Sequence, residues 1–329
     1  MTEIPRYSAL IEVWHECNYR CRHCYLPQPN PDGEKMMTLD TFKQILDILA
    51  DNEFIHILMT GYEPLLNPHI FDFIAEAKKL HFDVRMKSNG WLIDAAMAQK
   101  LADAGVSMVD ISIYSTDATE HDAITLMEGS HKRAVAALHE LKRVGRKISI
   151  GAPILHPMPN LLKLKQFAES LEAPIILSPN IFESFDHRNE VLNTRLTDDE
   201  LVEFIEFMVD NDPLYRGGLC RTLPKDSICG IGDTRGVSIN WRGEFQACSL
   251  MPPEDAFIDK SLERRFKEWG DNRQKIIEKR ECNSCEYLLY CSPCPAQALL
   301  ETGDLYGCRP EKLRYAKLRK KVNDRLIKR

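Results

Sequence analysis

Between residues 9 and 179 the chain alternates short apolar runs with longer segments whose apolar residues recur at helical spacing. The runs ALIEVW (9–14), FIHILM (54–59), DVRMKS (83–88), MVDISIY (108–114), KISIGAPI (147–154) and PIILSP (174–179) have strand length, and most have the β-branched content of buried strands. Between them lie TLDTFKQILDILA (38–50), HIFDFIAEAKKL (69–80), IDAAMAQKLADAG (93–105), SHKRAVAALHELKRVG (130–145) and a segment near 161–171, all with helical periodicity. Thr38 is placed to cap the first of these helices, and Gly105 and Gly145 to stop two others. Six strand–helix repeats predict an α/β fold with a parallel sheet and helices outside. Functional groups in such a sheet gather at the C-terminal ends of the strands.

The cysteines are distributed unevenly. Cys17, Cys21 and Cys24 follow the first strand with the spacing Cys-x3-Cys-x2-Cys, none occur from 25 to 219, and eight lie at 220–308. Eleven thiols fit a disulfide framework poorly, whereas eight make two complete four-cysteine metal sites and three make one open site. No apolar run approaches the ~18 residues that span a bilayer, and no signal peptide is visible, so a cytoplasmic location with reduced thiols is expected. A helix is expected at 197–210. Residues 217–309 are rich in Gly, Cys and Pro, with short strands expected at GVSINW (236–241) and EFQAC (244–248), and GGLCR (217–221) reads as a loop. So little apolar material predicts a small domain cross-linked by metal centres. The resulting division is a barrel-like unit over 1–212, a cluster domain over 213–309 and a basic helix over 310–329.

The trio after a first strand resembles the signature of the radical S-adenosylmethionine (SAM) superfamily, and further motifs join it. GYEPLL (61–66) is similar to that family's GGEP motif, with Gly61, Tyr62, Glu63 and Pro64 at its positions. KSNG (87–90), with Ser88 and Asn89, ends the third strand as the family's SAM-ribose segment does. Residues 110–138 are similar to those of peptide-modifying members, and the late cysteines resemble the family's SPASM extension. The resemblance implies a partial (β/α)6 TIM-like barrel with a small C-terminal iron–sulfur (SPASM) domain and a terminal helix. It implies a 4Fe–4S cluster on Cys17, Cys21 and Cys24, whose fourth iron binds SAM. One electron would then release a 5′-deoxyadenosyl radical that abstracts hydrogen from an unactivated carbon. His23, Ser88, Asn89 and Ser112 would also line the SAM site. Two auxiliary clusters are implied, one on Cys220, Cys229, Cys248 and Cys294, the other on Cys282, Cys285, Cys291 and Cys308. Two departures stand out: Tyr62 occupies the second glycine of GGEP, and Cys291 and Cys294 are separated by two residues where three are usual. Cys220 also has a second reading, as a free thiol that returns a hydrogen atom to a substrate radical.

Other readings compete. The trio could bind zinc with His15 or His23, and the late cysteines could form paired zinc sites in a non-enzymatic binding protein. Within enzymes, a small molecule or an RNA base competes with a peptide or small protein as substrate, and a peptide is expected to be cross-linked, given a thioether or epimerised. His156 is expected to face the barrel mouth, in a structural role first and with a substrate contact as the alternative. ESFDHRNE (183–190) is either a substrate-touching or a solvated loop. The net charge of −6 conceals +8 in residues 309–329 and −14 elsewhere. Tyr315, Leu318, Val322 and Leu326 share a helical stripe, so this helix is read as docked by that stripe, or as a docking face for an acidic electron donor such as flavodoxin or ferredoxin. One basic tail is too narrow for nucleic acid. The first strand begins near residue 9, leaving no room for a leader-binding module, so recognition is expected from a separate leader-peptide-binding protein or from barrel and tail.

Overall fold

The computed structural model describes residues 7–27, 36–220, 236–252 and 262–327. Six parallel strands appear where the apolar runs predict them: β1 (Tyr7–Glu12), β2 (Phe54–Thr60), β3 (Asp83–Ser88), β4 (Met108–Ser112), β5 (Lys147–Pro153) and β6 (Ile175–Ser178). The interleaved helices are α1 (Leu39–Asp51), α2 (Ile70–Lys79), α3 (Ala95–Asp103), α4 (Ala118–Thr125), α5 (Ser130–Arg143) and α6 (Leu161–Ser170). Each parallel pairing needs a crossover, and the helices that make the crossovers bury one face on the sheet. In α1 that face is Phe42, Ile45, Leu46 and Leu49, and the Thr38 hydroxyl accepts the Thr41 N–H at 3.1 Å. Gly105 and Gly145 follow α3 and α5 with φ of +84° and +72°, the left-handed backbone that lets a helix end.

Helix α4 was not visible in the sequence pattern. Asp117 starts it by accepting the N–H groups of Thr119 and Glu120 at 2.8 and 3.1 Å. Its buried residues are His121 and Thr125, so it carries no apolar stripe. Asp122 within it accepts from the N–H groups of Gly129 and His131 at 2.6 and 2.8 Å, fixing the start of α5.

The chain continues through α7 (Asp198–Asn211), α8 (Pro213–Cys220), β7 (Gly236–Ile239), β8 (Phe245–Gln246), α9 (Leu262–Lys279), α10 (Pro295–Thr302) and α11 (Pro310–Ile327). β7 pairs parallel to β1 and β8 pairs antiparallel to β7, giving the order β6-β5-β4-β3-β2-β1-β7-β8. The late strands therefore extend the barrel sheet across the boundary expected at 212. GGLCR corrects one expectation: Cys220 is the last residue of α8, not part of a loop. Asp212 nucleates that helix by accepting the N–H groups of Leu214 and Tyr215 at 2.9 and 3.1 Å. The terminal helix α11 docks by its stripe: Leu318 and Val322 are 9% and 1% exposed, and Tyr315 and Leu326 pack on the same core. No helix among the described residues is long and apolar enough to cross a membrane.

Candidate active site

The C-terminal ends of β1 to β4 converge on a cavity of about 410 Å³. Its wall includes Cys17, Cys21 and Cys24 from the loop after β1, Gly61 and Tyr62 after β2, Ser88 and Asn89 at the end of β3, and Ser112 at the end of β4. His23 also lines it, so the cysteine trio and six expected cofactor contacts meet in one place. Glu63 is fully buried behind this wall. One carboxylate oxygen accepts from the Leu65 N–H at 3.1 Å and the Ser88 hydroxyl at 2.9 Å, and the other accepts the Asn89 N–H at 2.8 Å. Glu63 thus ties the GYEP turn to the end of β3 rather than facing the cavity. Pro64 opens the short 3-10 turn Pro64–Leu66 behind it. Burial pushes the Glu63 carboxyl up to about 7 against those three hydrogen bonds.

The cysteine loop is tied down on all sides. Asn89 Nδ2 donates to Asn18 Oδ1 at 2.7 Å, Asn67 Nδ2 donates to the Val13 carbonyl at 2.7 Å, and the Tyr19 N–H points at Cys17 Sγ at 3.3 Å. Arg188 donates to the carbonyls of Cys24 and Leu26 at 2.9 and 2.8 Å, and the Phe185 N–H donates to the Tyr25 carbonyl at 2.9 Å. The stretch 183–190 therefore clasps the cysteine loop from β6's side. Burial pushes the Cys17 thiol up to about 11, with the Glu63 and Cys24 charges adding to it. Cys21 and Cys24 are raised as well, by burial first and, at Cys21, by the other two cysteines next. Three half-buried sulfurs that oppose one another's ionisation around a cavity are a donor set in need of a cationic partner. Among the described residues no three His, Cys, Asp or Glu side chains close on the position of a single ion. Three thiols arrayed around a cavity of this size fit the corners of a cluster. Burial holds His23 neutral by lowering it to about 4, and its ring meets Tyr114 edge-on at 4.9 Å.

The GYEP turn explains its own residues. Gly61 has φ +89°, and a Cβ there would lie 2.7 Å from Glu12 Cβ and 2.8 Å from the Trp14 carbonyl oxygen. Tyr62 is also left-handed, at φ +42°, where glycine is the unstrained choice. Its hydroxyl donates to the Pro27 carbonyl at 3.1 Å, and its ring meets Trp241 edge-on at 5.9 Å. Beyond it lies a second cavity of about 560 Å³, walled by β1, the cysteine loop, the β7–β8 turn, residues 249–252 and α10. Glu12, Leu26, Pro27 and Tyr62 belong to the walls of both cavities.

His156 is not brought to either cavity. The chain turns away after β5, and Nδ1 of His156 lies 2.9 Å from Glu200 Oε2 in the capping box of α7, with the ring 47% exposed. The late cysteines gather in the C-terminal part. Burial pushes Cys291 up to about 11, and the charges of Cys282, Cys308 and Cys285 act on it in the same direction. Burial also raises Cys248, and the charge of Cys294 acts on it in the same direction. Cys229 and the side chain of Cys220 lie outside the described residues. Glu12, Tyr114, Trp241 and Arg188 were not singled out in the sequence. Glu12 had a signal, a lone charge at the end of an apolar strand; the others act through contacts distant in sequence.

Residues 11–171 match the model of the Radical SAM superfamily. The chain is 22% identical to an AdoMet-dependent heme synthase of Nitratidesulfovibrio vulgaris, across 89% of this chain and 88% of that protein. It is also 22% identical to the antilisterial bacteriocin subtilosin biosynthesis protein AlbA of Bacillus subtilis, across 88% of this chain and 67% of that one. Its fold is similar to that of native anSMEcpe with bound AdoMet and Cp18Cys peptide, with a TM-score of 0.72 and 17% identity over 98% of both chains. Residues 11–171, the part that holds the cysteine trio and its cavity, are thus a Radical SAM domain.

Proposed function

We propose that this radical SAM enzyme modifies a peptide or small protein. The observation that carries the reading is the pair of cavities joined at Tyr62 and Glu12, which puts a group held in the outer cavity beside the cysteine-lined one. Similarity to AlbA and to a peptide-bound fold neighbour supports a peptide as the occupant. Membership of an enzyme superfamily removes the reading of a non-enzymatic zinc protein.

Cys17, Cys21 and Cys24 would hold the 4Fe–4S cluster that the superfamily brings, with SAM in the remaining space of the inner cavity. With both bound, the site supplies a 5′-deoxyadenosyl radical for hydrogen abstraction. The chain's own part is to orient and to exclude water. Glu63 fixes the spacing between the GYEP turn and Asn89, Arg188 closes the cysteine loop, and Tyr62 with Leu26 and Pro27 walls the radical site from solvent. Cys282, Cys285, Cys291 and Cys308 would hold one auxiliary cluster, and Cys248 and Cys294 would share another with Cys220 and Cys229, for about twelve irons per chain. The exposed cations of α11 would receive an acidic electron donor, and a separate protein would present a leader peptide. The product, whether a cross-link, a thioether or an inverted α-carbon, follows from the substrate.

Porphyrin chemistry is the second reading, favoured by the heme synthase similarity and by two imidazoles, His15 and His187, in the outer cavity. Both are tested by incubating reconstituted enzyme with SAM, dithionite and either the short peptides encoded beside the gene or an iron porphyrin. A SAM-dependent mass change in a peptide supports the proposal. Turnover of the porphyrin with every peptide unchanged overturns it.

A further inference from the structure

Glu12, a buried carboxylate, stands on the walls of both cavities. Along β1, Ala9 and Ile11 point into the core at 0% exposure, and the alternating residues Leu10 and Glu12 face the cysteine-lined cavity. Glu12 is 4% exposed and sits where the two cavities meet. Gly61 packs against its Cβ and sets the direction of the side chain. Among the described residues no cation offsets its charge: burial alone acts on the carboxyl and pushes it up to about 7. A buried carboxylate without a partner is costly, so the site has an unmet demand for a positive group.

The surroundings say what kind of group. Tyr62, Trp241 and Phe185 stand on the outer cavity's wall, and aromatic faces attract cations and pack alkyl chains. Of the cavity's basic side chains, His15 is buried and makes no hydrogen bond through Nδ1, and the other two are engaged at the outer rim. Arg242 lies over Trp241 at 5.3 Å and 3.9 Å from Glu244, and His187 lies 2.6 Å from Glu183 with its ring 66% exposed. A carboxylate at the inner end and aromatic walls along the way make a slot for an alkyl chain with a cationic head.

We propose that Glu12 is a specificity-determining residue that binds an alkylammonium or alkylguanidinium group of the substrate, as a lysine or arginine side chain would supply. The bound chain lies along the wall formed by Tyr62 and Trp241, and its carbons stand beside the cysteine-lined cavity. This rests on reading the outer cavity as the substrate site, not on the substrate being a peptide.

The test measures binding of n-butylammonium, n-butylguanidinium and the neutral isostere 1-butanol to SAM-saturated holoenzyme by ligand-observed NMR, for wild type and Glu12→Gln. The wild type is expected to prefer both cations over the alcohol by about tenfold or more, and Glu12→Gln to lose most of that preference. The glutamine keeps the shape of the side chain, so a folding defect does not mimic the result. Equal binding of amine and alcohol, no measurable amine binding, or a preference that survives in Glu12→Gln overturns the proposal. So does a loss of SAM affinity in Glu12→Gln with amine preference intact, which assigns the carboxylate to the cofactor. Amine preference in a protein that modifies no peptide refutes the maturase reading and leaves this one standing. Peptide modification without amine preference does the reverse.

Discussion

Gly61→Ala separates two costs that the structure lets one count. An alanine at φ +89° costs roughly 1–2 kcal/mol in backbone strain. Its Cβ would also stand 2.7 Å from Glu12 Cβ and 2.8 Å from the Trp14 carbonyl, well inside the ~3.5–4.0 Å of ordinary carbon contact. Neither neighbour is the free end of a flexible side chain, so the turn or β1 must move, an overpacking cost of about 1–3 kcal/mol. The sum is roughly 2–5 kcal/mol. Gly129 provides the control, because it has φ +79° and nothing within 4 Å of its would-be Cβ. Gly129→Ala should therefore pay only the backbone term of ~1–2 kcal/mol. Denaturant unfolding of reconstituted enzyme measures both. The shift of the GYEP turn should also cut 5′-deoxyadenosine formation by on the order of a hundredfold in Gly61→Ala, whose site geometry moves, and by far less in Gly129→Ala. Equal stability losses for the two variants would refute the close-approach argument.

Stability should depend on pH through Glu12, whose carboxyl sits near 7 when folded against 4.5 as the ordinary value, so the folded state holds the proton longer. That contribution is complete below about pH 4.5 and is lost as pH rises through about 7, on the order of 3 kcal/mol. Unfolding from about pH 5 to about pH 8 should therefore show a shallower fall in Glu12→Gln than in wild type, and parallel slopes would contradict it. On α11 the exposed cations can be changed without touching the docked stripe. Reversing Lys317, Lys320 and Lys321, which line one surface hollow beside Tyr287, should weaken flavodoxin binding at low salt and leave dithionite-driven SAM cleavage intact. Unchanged flavodoxin affinity would leave the helix a structural role alone. Cys220→Ala should lower iron content or alter an auxiliary cluster's paramagnetic resonance signal; full iron with an unchanged spectrum and stalled turnover would make Cys220 a hydrogen donor instead.

The barrel was legible because its strands and crossover helices bury single faces, so apolar period and cap residues such as Thr38 and Gly105 mark them directly. Helix α4 was not, because its inward residues, His121 and Thr125, are polar and hold their places by hydrogen bonds. The glycine pair before Cys220 reads as a breaker, yet a Pro213 start and the Asp212 cap carry α8 through it. The trio and GYEP were legible because their chemistry is local. What closes around them is not: the clasp of Arg188 and the pairing of β7 with β1 join segments that only the tertiary fold brings together. His156, a residue at a strand end, is drawn off by a carboxylate on a distant helix.

The central claim is that Cys17, Cys21 and Cys24 hold the cluster that cleaves SAM, separately from the late cysteines. Its most direct test is 5′-deoxyadenosine formation, with iron content, in a variant carrying Cys17→Ala, Cys21→Ala and Cys24→Ala. The account predicts no 5′-deoxyadenosine and about two thirds of the wild-type iron, the share of two clusters in three. Continued 5′-deoxyadenosine formation by that variant, with SAM and dithionite present, would contradict it.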